Sequence, residues 1–329
     1  MDKVKWGVLS ASGHFKMRVL PQFLKSDEIV LTAVASRSID KAKAVTDRLN
    51  DVKAYGSYQE LLDDEYIEAV YIPLPNHMHA EWTKKCADAG KHILCEKPYA
   101  MNAAETLEAI SYAEKQGVVV MEAFMYRMQP AWRRAKEIVE AGEIGRVMSV
   151  NSYFTYDNFD PKNIRNITET GGGGLYDIGC YCISASRFMT GKEPEKAMSM
   201  IKRNDAKSTD MLTGGMLDFG DSIGVFSVST GAYPSQRVDV IGTGGRISFE
   251  LPFNTFNDVP SKITVMGKLA SRDIIFDPVD QYRIMLEEFS LAIKGKGPLP
   301  TPSSDAVNNM KVIDALFASE KSGKWENVK

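Results

Sequence analysis

The chain has 329 residues, of which 44% are hydrophobic and 25% are charged, and its formal net charge is −3. This composition is typical of a folded globular protein and excludes disorder, collagen or a coiled coil for the whole chain. The near-neutral charge argues against an electrostatic nucleic-acid binder, which needs a concentrated basic face. At about 150 residues per domain, the length predicts two domains.

Membrane and metal-binding classes are not favoured either. No apolar run approaches the ~20 residues that span a bilayer, and no signal-peptide pattern follows Met1. Two of the four cysteines are spaced too closely for the usual zinc pairing and the other two too widely. We therefore expect no membrane partner, no metal and a cytoplasmic protein whose thiols are reduced and buried. The cysteines are Cys86, Cys95, Cys180 and Cys182.

The first third of the chain alternates short β-rich runs with helical stretches. Helices are predicted between the strands, for example over Ser38–Asn50 and Asn102–Gln116. Apolar strands separated by helices predict a parallel sheet that is buried on both faces. We interpret residues 1–122 as a doubly wound, dinucleotide-binding Rossmann domain. The predicted strands are Val4–Leu9, Ile29–Ala35, Ala69–Pro73, His92–Cys95 and Val118–Phe124.

The pattern changes after about residue 147. Short connections such as Gly220-Asp221-Ser222 favour antiparallel hairpins, and two helices follow near Gln281–Lys294 and Asp305–Ser322. We interpret residues 123–329 as an α+β domain with an open, mainly antiparallel sheet, whose terminal helix is able to pack back on the first domain. The predicted strands are Val147–Thr155, Ala197–Lys202, Thr213–Phe219, Ile223–Ser229, Arg237–Ile241 and Ile263–Met266.

The turn after the first strand is the candidate site for a pyrophosphate. Dinucleotide-binding folds use G-x-G-x-x-G/A at this point, but this chain has Ser10, Ser12 and Phe15 at the three positions. Small residues still let a ligand approach the backbone, and a helix N-terminus binds phosphate. The alternative is an ordinary strand–turn–helix. The small residues of the turn are Ser10, Ala11, Ser12 and Gly13.

The second strand ends in Ser36 and Arg37. An acid at this position would hydrogen-bond the ribose 2′-hydroxyl of NAD, whereas a serine and an arginine favour a 2′-phosphate. This pair predicts NADP as the cofactor rather than NAD. The alternative is a solvated surface arginine.

Two polar segments follow strands in the first domain, where open α/β sheets bind their ligands. The third predicted strand leads into Pro73-Leu74-Pro75-Asn76-His77-Met78-His79, and the fourth leads into Glu96-Lys97-Pro98. The proline favours an extended backbone at Lys97. We expect this lysine to point into a site rather than into bulk solvent.

A glycine run, Gly171–Gly174, opens a helix in the second domain and would let the backbone approach a ligand closely. Asp177 and Tyr181 are four residues apart, so they share one helix face. A cation beside a phenol lowers its pKa, so Lys97 close to Tyr181 would form a proton-transfer pair. The alternatives are a buried core tyrosine and an aspartate that only complements the helix dipole.

Together these segments resemble the Gfo/Idh/MocA family over essentially the whole chain. Glu96-Lys97-Pro98 is characteristic of that family. Glu122–Arg127, Asn163–Arg165 and Gly171–Tyr181 indicate the branch with glucose–fructose oxidoreductase, dimeric dihydrodiol dehydrogenase and NADP-dependent xylose dehydrogenase. His14 and Phe15 depart from the small or aliphatic residues that relatives carry.

The resemblance implies catalysis by Lys97 and Tyr181 with support from Asp177. It also implies that Arg165 and Tyr153 lie on the substrate side with those three residues, and Tyr282 is a further candidate. Its open C-terminal sheet often mediates dimerisation, so a homodimer or higher homo-oligomer is expected. The residues expected around the cofactor are the turn Ser10–Gly13, Ser36, Arg37, Pro73, Leu74, Asn76, His79, Glu96 and Lys97.

The expected activity is reversible hydride transfer between NADP(H) and a hydroxyl-bearing carbon of a sugar, such as an aldose, or of a related diol. One alternative is a non-catalytic NADP-responsive regulator or ligand-binding relative. Another is an interaction protein that uses only the open sheet. The presence of Lys97, Asp177 and Tyr181 favours the enzyme.

Overall fold

A computed structural model describes residues 3–204 and 209–329. The chain forms two compact units: Met1–Met125 with Asp280–Val307, and Tyr126–Val279 with Asn308–Lys329. The domain boundary that the sequence predicts, between residues 122 and 123, stays a prediction. Across the described part of the chain, no helix has both the length and the apolar character needed to cross a membrane.

The first unit contains a six-stranded sheet in the order β3-β2-β1-β4-β5-β6, and every neighbouring pair is parallel. This is the strand order of the dinucleotide-binding fold, so the predicted Rossmann sheet is confirmed. All four β4 side chains are buried, as a sheet covered on both faces requires. The strands are β1 (Val4–Leu9), β2 (Ile29–Ala35), β3 (Lys53–Tyr55), β4 (Ala69–Ile72), β5 (His92–Cys95) and β6 (Val120–Glu122).

The helices begin and end close to the predicted bounds where a prediction was made. Asn102 caps α5, because its side-chain oxygen accepts from the Glu105 N–H at 2.9 Å. Ala306 and Val307, near the start of α9, belong to the buried cluster of the first unit. The helices are α1 (Leu20–Lys25), α2 (Ile39–Thr46), α3 (Tyr58–Leu62), α4 (His79–Asp88), α5 (Ala103–Lys115), α6 (Pro130–Glu140), α7 (Cys180–Thr190), α8 (Gln281–Ile293) and α9 (Ser304–Ser322).

Short helical turns of other types supplement these helices. Two π-helical turns precede α1 and α7, at Phe15–Val19 and Leu175–Gly179. Turns of 3-10 helix lie in several loops, among them those that carry Asn76 and Arg165. They are Asn76–Met78, Met125–Met128, Ile164–Asn166 and Thr168–Thr170.

The second unit contains a nine-stranded sheet in the order β14-β13-β12-β11-β7-β10-β9-β8-β15. Among the described strands of this sheet, only β7 and β10 pair in parallel, so the predicted mainly antiparallel sheet is confirmed. The strands are β7 (Val147–Asp157), β8 (Lys196–Arg203), β9 (Asp210–Asp218), β10 (Ile223–Ser229), β11 (Gly231–Gly242), β12 (Gly245–Phe249), β13 (Ser261–Gly267), β14 (Ser271–Phe276) and β15 (Glu326–Asn327).

One face of this sheet is packed and the other is open. Along β10, Phe226 and Val228 are buried whereas Ile223 and Val225 are exposed. On the packed side, Trp132 of α6 stacks on Phe249 with ring centroids 4.3 Å apart. An alternation of this kind is what an antiparallel sheet with one solvated face produces.

Adjacent glycines in β9 give a matched test of this packing. A Cβ at Gly215 would lie 2.3 Å from ring atoms of the buried Phe226, whereas a Cβ at Gly214 would meet nothing within 4 Å. We expect Gly215→Ala to lower the free energy of unfolding by roughly 1–3 kcal/mol through overpacking. Gly214→Ala should leave it unchanged or slightly raised. Urea unfolding of both variants measures this, and equal stabilities would contradict the packing described.

Candidate functional site

The turn after β1 has the required shape without the usual glycines. Ser10 adopts φ +123°, a region that normally favours glycine, and its N–H donates to the Ala35 carbonyl at 3.0 Å. The Ser12 hydroxyl accepts from the Phe15 N–H at 3.2 Å, and the Phe15 side chain is fully buried. Phe15 therefore packs into the core, away from any ligand at the turn.

The residues of this turn fit an anionic cofactor group. Ala11 and Ser12 are half-buried and Gly13 is exposed. A Cβ on Gly13 would meet only Met17 Cε, at 4.0 Å, so the helix start is open beside it. N–H groups in the first turn of a helix lack helical acceptors and favour a phosphate.

At the end of β2, Ser36 is buried and Arg37 is exposed. Burial raises the pKa of the Tyr58 phenol, and the charge of Arg37 and the hydroxyl of Ser10 partly offset this rise. Ser10 and Arg37, expected from sequence to contact the cofactor, thus both interact with Tyr58 at the carboxyl edge of the sheet.

His79 is fully buried and joins two loops of the first unit. Its Nδ1 lies 2.9 Å from the Pro98 carbonyl oxygen and its Nε2 lies 2.8 Å from that of Leu74. Burial lowers the pKa of this imidazole. His79 therefore holds the loop after β4, which includes Pro73 and Asn76, against the loop after β5.

Glu96 is a buried carboxylate with a tyrosine and a histidine beside it. Its Oε1 accepts from the Tyr71 hydroxyl and lies 3.4 Å from His14 Nε2. Burial raises the pKa of Glu96, but the interactions with His14 and Lys97 outweigh it and lower this pKa to about 2. Glu96 is therefore ionised at neutral pH, and Lys97, which follows it, is half-buried.

Tyr282 lies in the first unit, where its ring packs edge-on against His14 with centroids 5.6 Å apart. It is buried. The structure thus brings this candidate to the turn after β1, beside the residue that departs from the family pattern.

In the second unit, the glycine run folds onto its own chain. The Gly172 N–H donates to the Ile167 carbonyl and the Gly173 N–H to the Arg165 carbonyl, at 2.9 and 2.8 Å. A Cβ on Gly172 would lie 2.6 Å from the Arg165 oxygen. These glycines therefore permit close packing of backbone on backbone, and the approach to a ligand that the sequence suggested stays a prediction.

Asp177 is held by two donors. Its Oδ2 accepts from Arg165 Nε at 3.0 Å and from the Tyr156 hydroxyl at 2.5 Å. The charge of Asp177 raises the pKa of Arg165, and burial together with that charge raises the pKa of Tyr156. Both partners therefore stay protonated at neutral pH, and the carboxylate is fixed by charge-assisted hydrogen bonds.

Tyr181 lies one turn after Asp177, as the spacing predicts, and is buried. Its ring centroid is 5.3 Å from that of Phe253 and 5.9 Å from that of Phe154. Tyr126 packs on the same ring. An apolar wall of this kind fixes the orientation of the phenol.

Tyr153 and Tyr156 lie on opposite faces of β7. Tyr153 is 36% exposed and lines a shallow depression on the open face with Arg237 and Asp239. The structure therefore does not bring Tyr153 to Asp177, and Tyr156, which sequence reasoning missed, contacts it instead. The two-residue alternation that buries Phe154 was the signal for Tyr156.

All four cysteines are buried and free. Among residues 3–204 and 209–329, no group of three histidine, cysteine or acidic side chains is placed to hold a metal ion.

Comparisons with known proteins agree with this architecture. Residues 4–124 match the oxidoreductase family with an NAD-binding Rossmann fold, and residues 132–248 match the GFO/IDH/MocA C-terminal domain. The chain is 38% identical over 334 residues to the uncharacterized oxidoreductase ORF334 of Rhizobium meliloti, covering 100% of each chain. The chain belongs to the Gfo/Idh/MocA oxidoreductase family. The predicted family is thereby confirmed.

Two other Gfo/Idh/MocA proteins are similar over nearly the whole length. The D-xylose 1-dehydrogenase (NADP(+)) 2 of Haloferax volcanii is 36% identical over 322 residues, 97% of this chain and 98% of that protein. A 3-ketoreductase from Actinomadura kijaniata, solved in complex with NADP and TDP-benzene, has a TM-score of 0.90 and 25% identity, with 97% and 98% of the chains covered.

The contact between Tyr156 and Asp177 predicts a functional difference between two tyrosines of one strand. Hydrogen bonds to charged groups contribute about 1.5–3 kcal/mol. We expect Tyr156→Phe to lower kcat/KM for the alcohol substrate roughly ten- to a hundredfold, with an unchanged Kd for NADPH. Steady-state kinetics and a fluorescence titration measure these quantities. Tyr153→Phe is the matched control, and a larger loss in it than in Tyr156→Phe would contradict this assignment.

Proposed function

We propose that this Gfo/Idh/MocA protein is an NADP-dependent oxidoreductase that transfers a hydride between NADP(H) and a hydroxyl-bearing carbon of an aldose or a related diol. The observation that carries the proposal is the Ser10–Arg37–Tyr58 cluster at the carboxyl edge of the parallel sheet. It offers a cation and hydroxyls where the ribose 2′-phosphate of NADP would lie. The similarity to an NADP(+)-dependent D-xylose dehydrogenase supports the substrate class.

The residues that would hold the cofactor all follow strands of the first unit. When bound, the nicotinamide supplies the acceptor or donor of the hydride. The open helix start would take the pyrophosphate and Arg37 the 2′-phosphate. His79 would act behind them by fixing the loops. The proposed contacts are Ser10, Ala11, Ser12, Gly13, Ser36, Arg37, Pro73, Leu74, Asn76, Glu96 and Lys97.

The proton chemistry is assigned to Tyr181. In the direction of oxidation, its phenol oxygen takes the hydroxyl proton of the substrate, and in reduction it returns that proton. The charge of Lys97 would lower the pKa of the phenol and bind the substrate oxygen. Asp177, held by Arg165 and Tyr156, would orient the sugar or the tyrosine.

The proposed partners are the small-molecule substrate and a second copy of the chain. The open face of the nine-stranded sheet carries exposed apolar side chains, among them Met216, Ile223 and Val225. Large exposed apolar patches mark interaction surfaces. We therefore propose a homodimer or higher homo-oligomer through this face. The proposed compartment is the cytoplasm, where the reducing environment keeps cysteines as free thiols.

The competing function, a non-catalytic NADP-responsive regulator, makes the same cofactor contacts but needs no proton donor. Turnover separates the two candidates. A regulator would bind NADP and form no NADPH with any aldose or diol, whereas the enzyme would reduce NADP as it oxidises the substrate.

We expect Tyr181→Phe and Lys97→Ala each to lower kcat by about a hundredfold or more, since acid–base groups contribute factors of that size. The Kd for NADPH should change much less, because neither residue is the main contact of its phosphates. Formation of NADPH from NADP and an aldose panel, followed by absorbance, measures kcat. Near-wild-type turnover in either variant would refute the role given to that residue.

A further inference from the structure

Asp210 is a buried carboxylate that caps a helix far away in sequence. It is 1% exposed, at the start of β9. One of its oxygens, Oδ2, accepts from the Leu175 N–H at 2.6 Å and from the Thr213 hydroxyl at 2.9 Å. Leu175 opens the π-helical turn that carries Asp177, and the residue before it, Gly174, has no side chain to cap that turn. Asp210 thus replaces the local cap.

The glycine turn is shaped around this carboxylate. Gly173 adopts φ +120°, and a Cβ there would lie 1.9 Å from Asp210 Oδ1. A Cβ on Gly174 would lie 3.4 Å from Asp210 Oδ2. The Gly173 N–H also binds the Arg165 carbonyl. Asp210 therefore lies where the loop that carries Arg165 meets the start of the helix.

The charge of Asp210 is costly to the fold. Burial raises its pKa to about 6, and the hydrogen bonds from Leu175 and Thr213 and the charge of Arg203 only partly offset this. Arg203 of β8 is the residue paired with Asp210 across the two strands, and its guanidinium also forms an ion pair with Glu320 of α9. Tyr156 of β7 is another titratable side chain that interacts with Asp210. A carboxyl whose pKa is raised on folding lowers stability as pH rises from its unfolded value of 3.8 through about 6. At neutral pH, an asparagine would be cheaper to bury.

We propose that Asp210 is a positioning residue for the oxidoreductase reaction, whose carboxylate fixes the start of the helix and thereby sets the placement of Asp177 and Tyr181. The inference rests on the proposed function of those two residues. The support is geometric: Oδ2 of Asp210 accepts from the Leu175 N–H, and Oδ1 lies where a Cβ of Gly173 would be, so this carboxylate touches both the helix start and the glycine turn. Its use is to hold Leu175 and the glycine turn in one arrangement.

The test compares Asp210→Asn with Asp218→Asn, a change at the other end of the same strand, where the carboxylate accepts from the exposed Gly220 N–H. Asp210→Asn keeps an acceptor for Leu175 but removes its charge, so we expect kcat at neutral pH to fall about tenfold. KM for NADP should stay within about twofold, and Tm should not fall. Asp218→Asn should behave as the wild type.

Two readouts separate positioning from simple structural damage. The ratio of wild-type to Asp210→Asn kcat should approach one below pH 6, because protonation of Asp210 makes the wild type resemble the variant. Amide hydrogen exchange at Leu175 should be faster in Asp210→Asn at neutral pH and unchanged in Asp218→Asn. The exchange measurement needs no substrate.

The outcomes distinguish this inference from the proposed function. Unchanged kcat in Asp210→Asn, or a loss that is independent of pH and accompanied by a lower Tm, would overturn the positioning role. So would unchanged exchange at Leu175. If the wild type turns over no aldose or diol but exchange at Leu175 rises in Asp210→Asn, the proposed function fails and the control of the helix start by Asp210 stands.

Discussion

The ion pair between Arg165 and Asp177 is the interaction on which the site of the second unit depends. It joins the loop that carries Arg165 to the helix start that carries Asp177. The Tyr156 hydroxyl, on β7, donates to the same carboxylate and so links the sheet to both. The Asp177 side chain is only 13% exposed to solvent, so dissolved salt weakens this ion pair less than it weakens a pair on the surface. Gly172 and Gly173 bind carbonyls of the same loop. Side chains and backbone therefore hold one geometry together.

The first unit uses buried polar groups in the same way. His79 links two loops through their carbonyls, and Glu96 is held ionised between Tyr71 and His14. The turn after β1 has no glycine at Ser10, whose positive φ costs on the order of 1–3 kcal/mol. The hydrogen bond from the Ser10 N–H to the Ala35 carbonyl holds that conformation. The family's turn is thus built here from different residues.

The sequence could predict the strands that are continuous apolar runs, because burial on both faces leaves a strong signal. Lys53–Tyr55, Ser271–Phe276 and Glu326–Asn327 were not predicted, since they are edge strands with short or polar patterns. The interior strand Gly245–Phe249 was not predicted either. In the site, the spacing of Asp177 and Tyr181 was local and predictable. The contact between Tyr156 and Asp177 depends on which face of the strand is buried. The contact between Asp210 and Leu175 joins residues that are 35 positions apart in the sequence. Neither follows from a motif.

Selective recognition of NADP links the fold to the proposed chemistry, and it can be measured directly. The most direct measurement is a paired fluorescence titration of the wild type and Arg37→Ala with NADPH and with NADH. We expect the wild type to prefer NADPH, and Arg37→Ala to lose roughly ten- to a hundredfold in NADPH affinity while its NADH binding is unchanged. Equal affinity of the wild type for both nucleotides, or unchanged NADPH binding in Arg37→Ala, would contradict it.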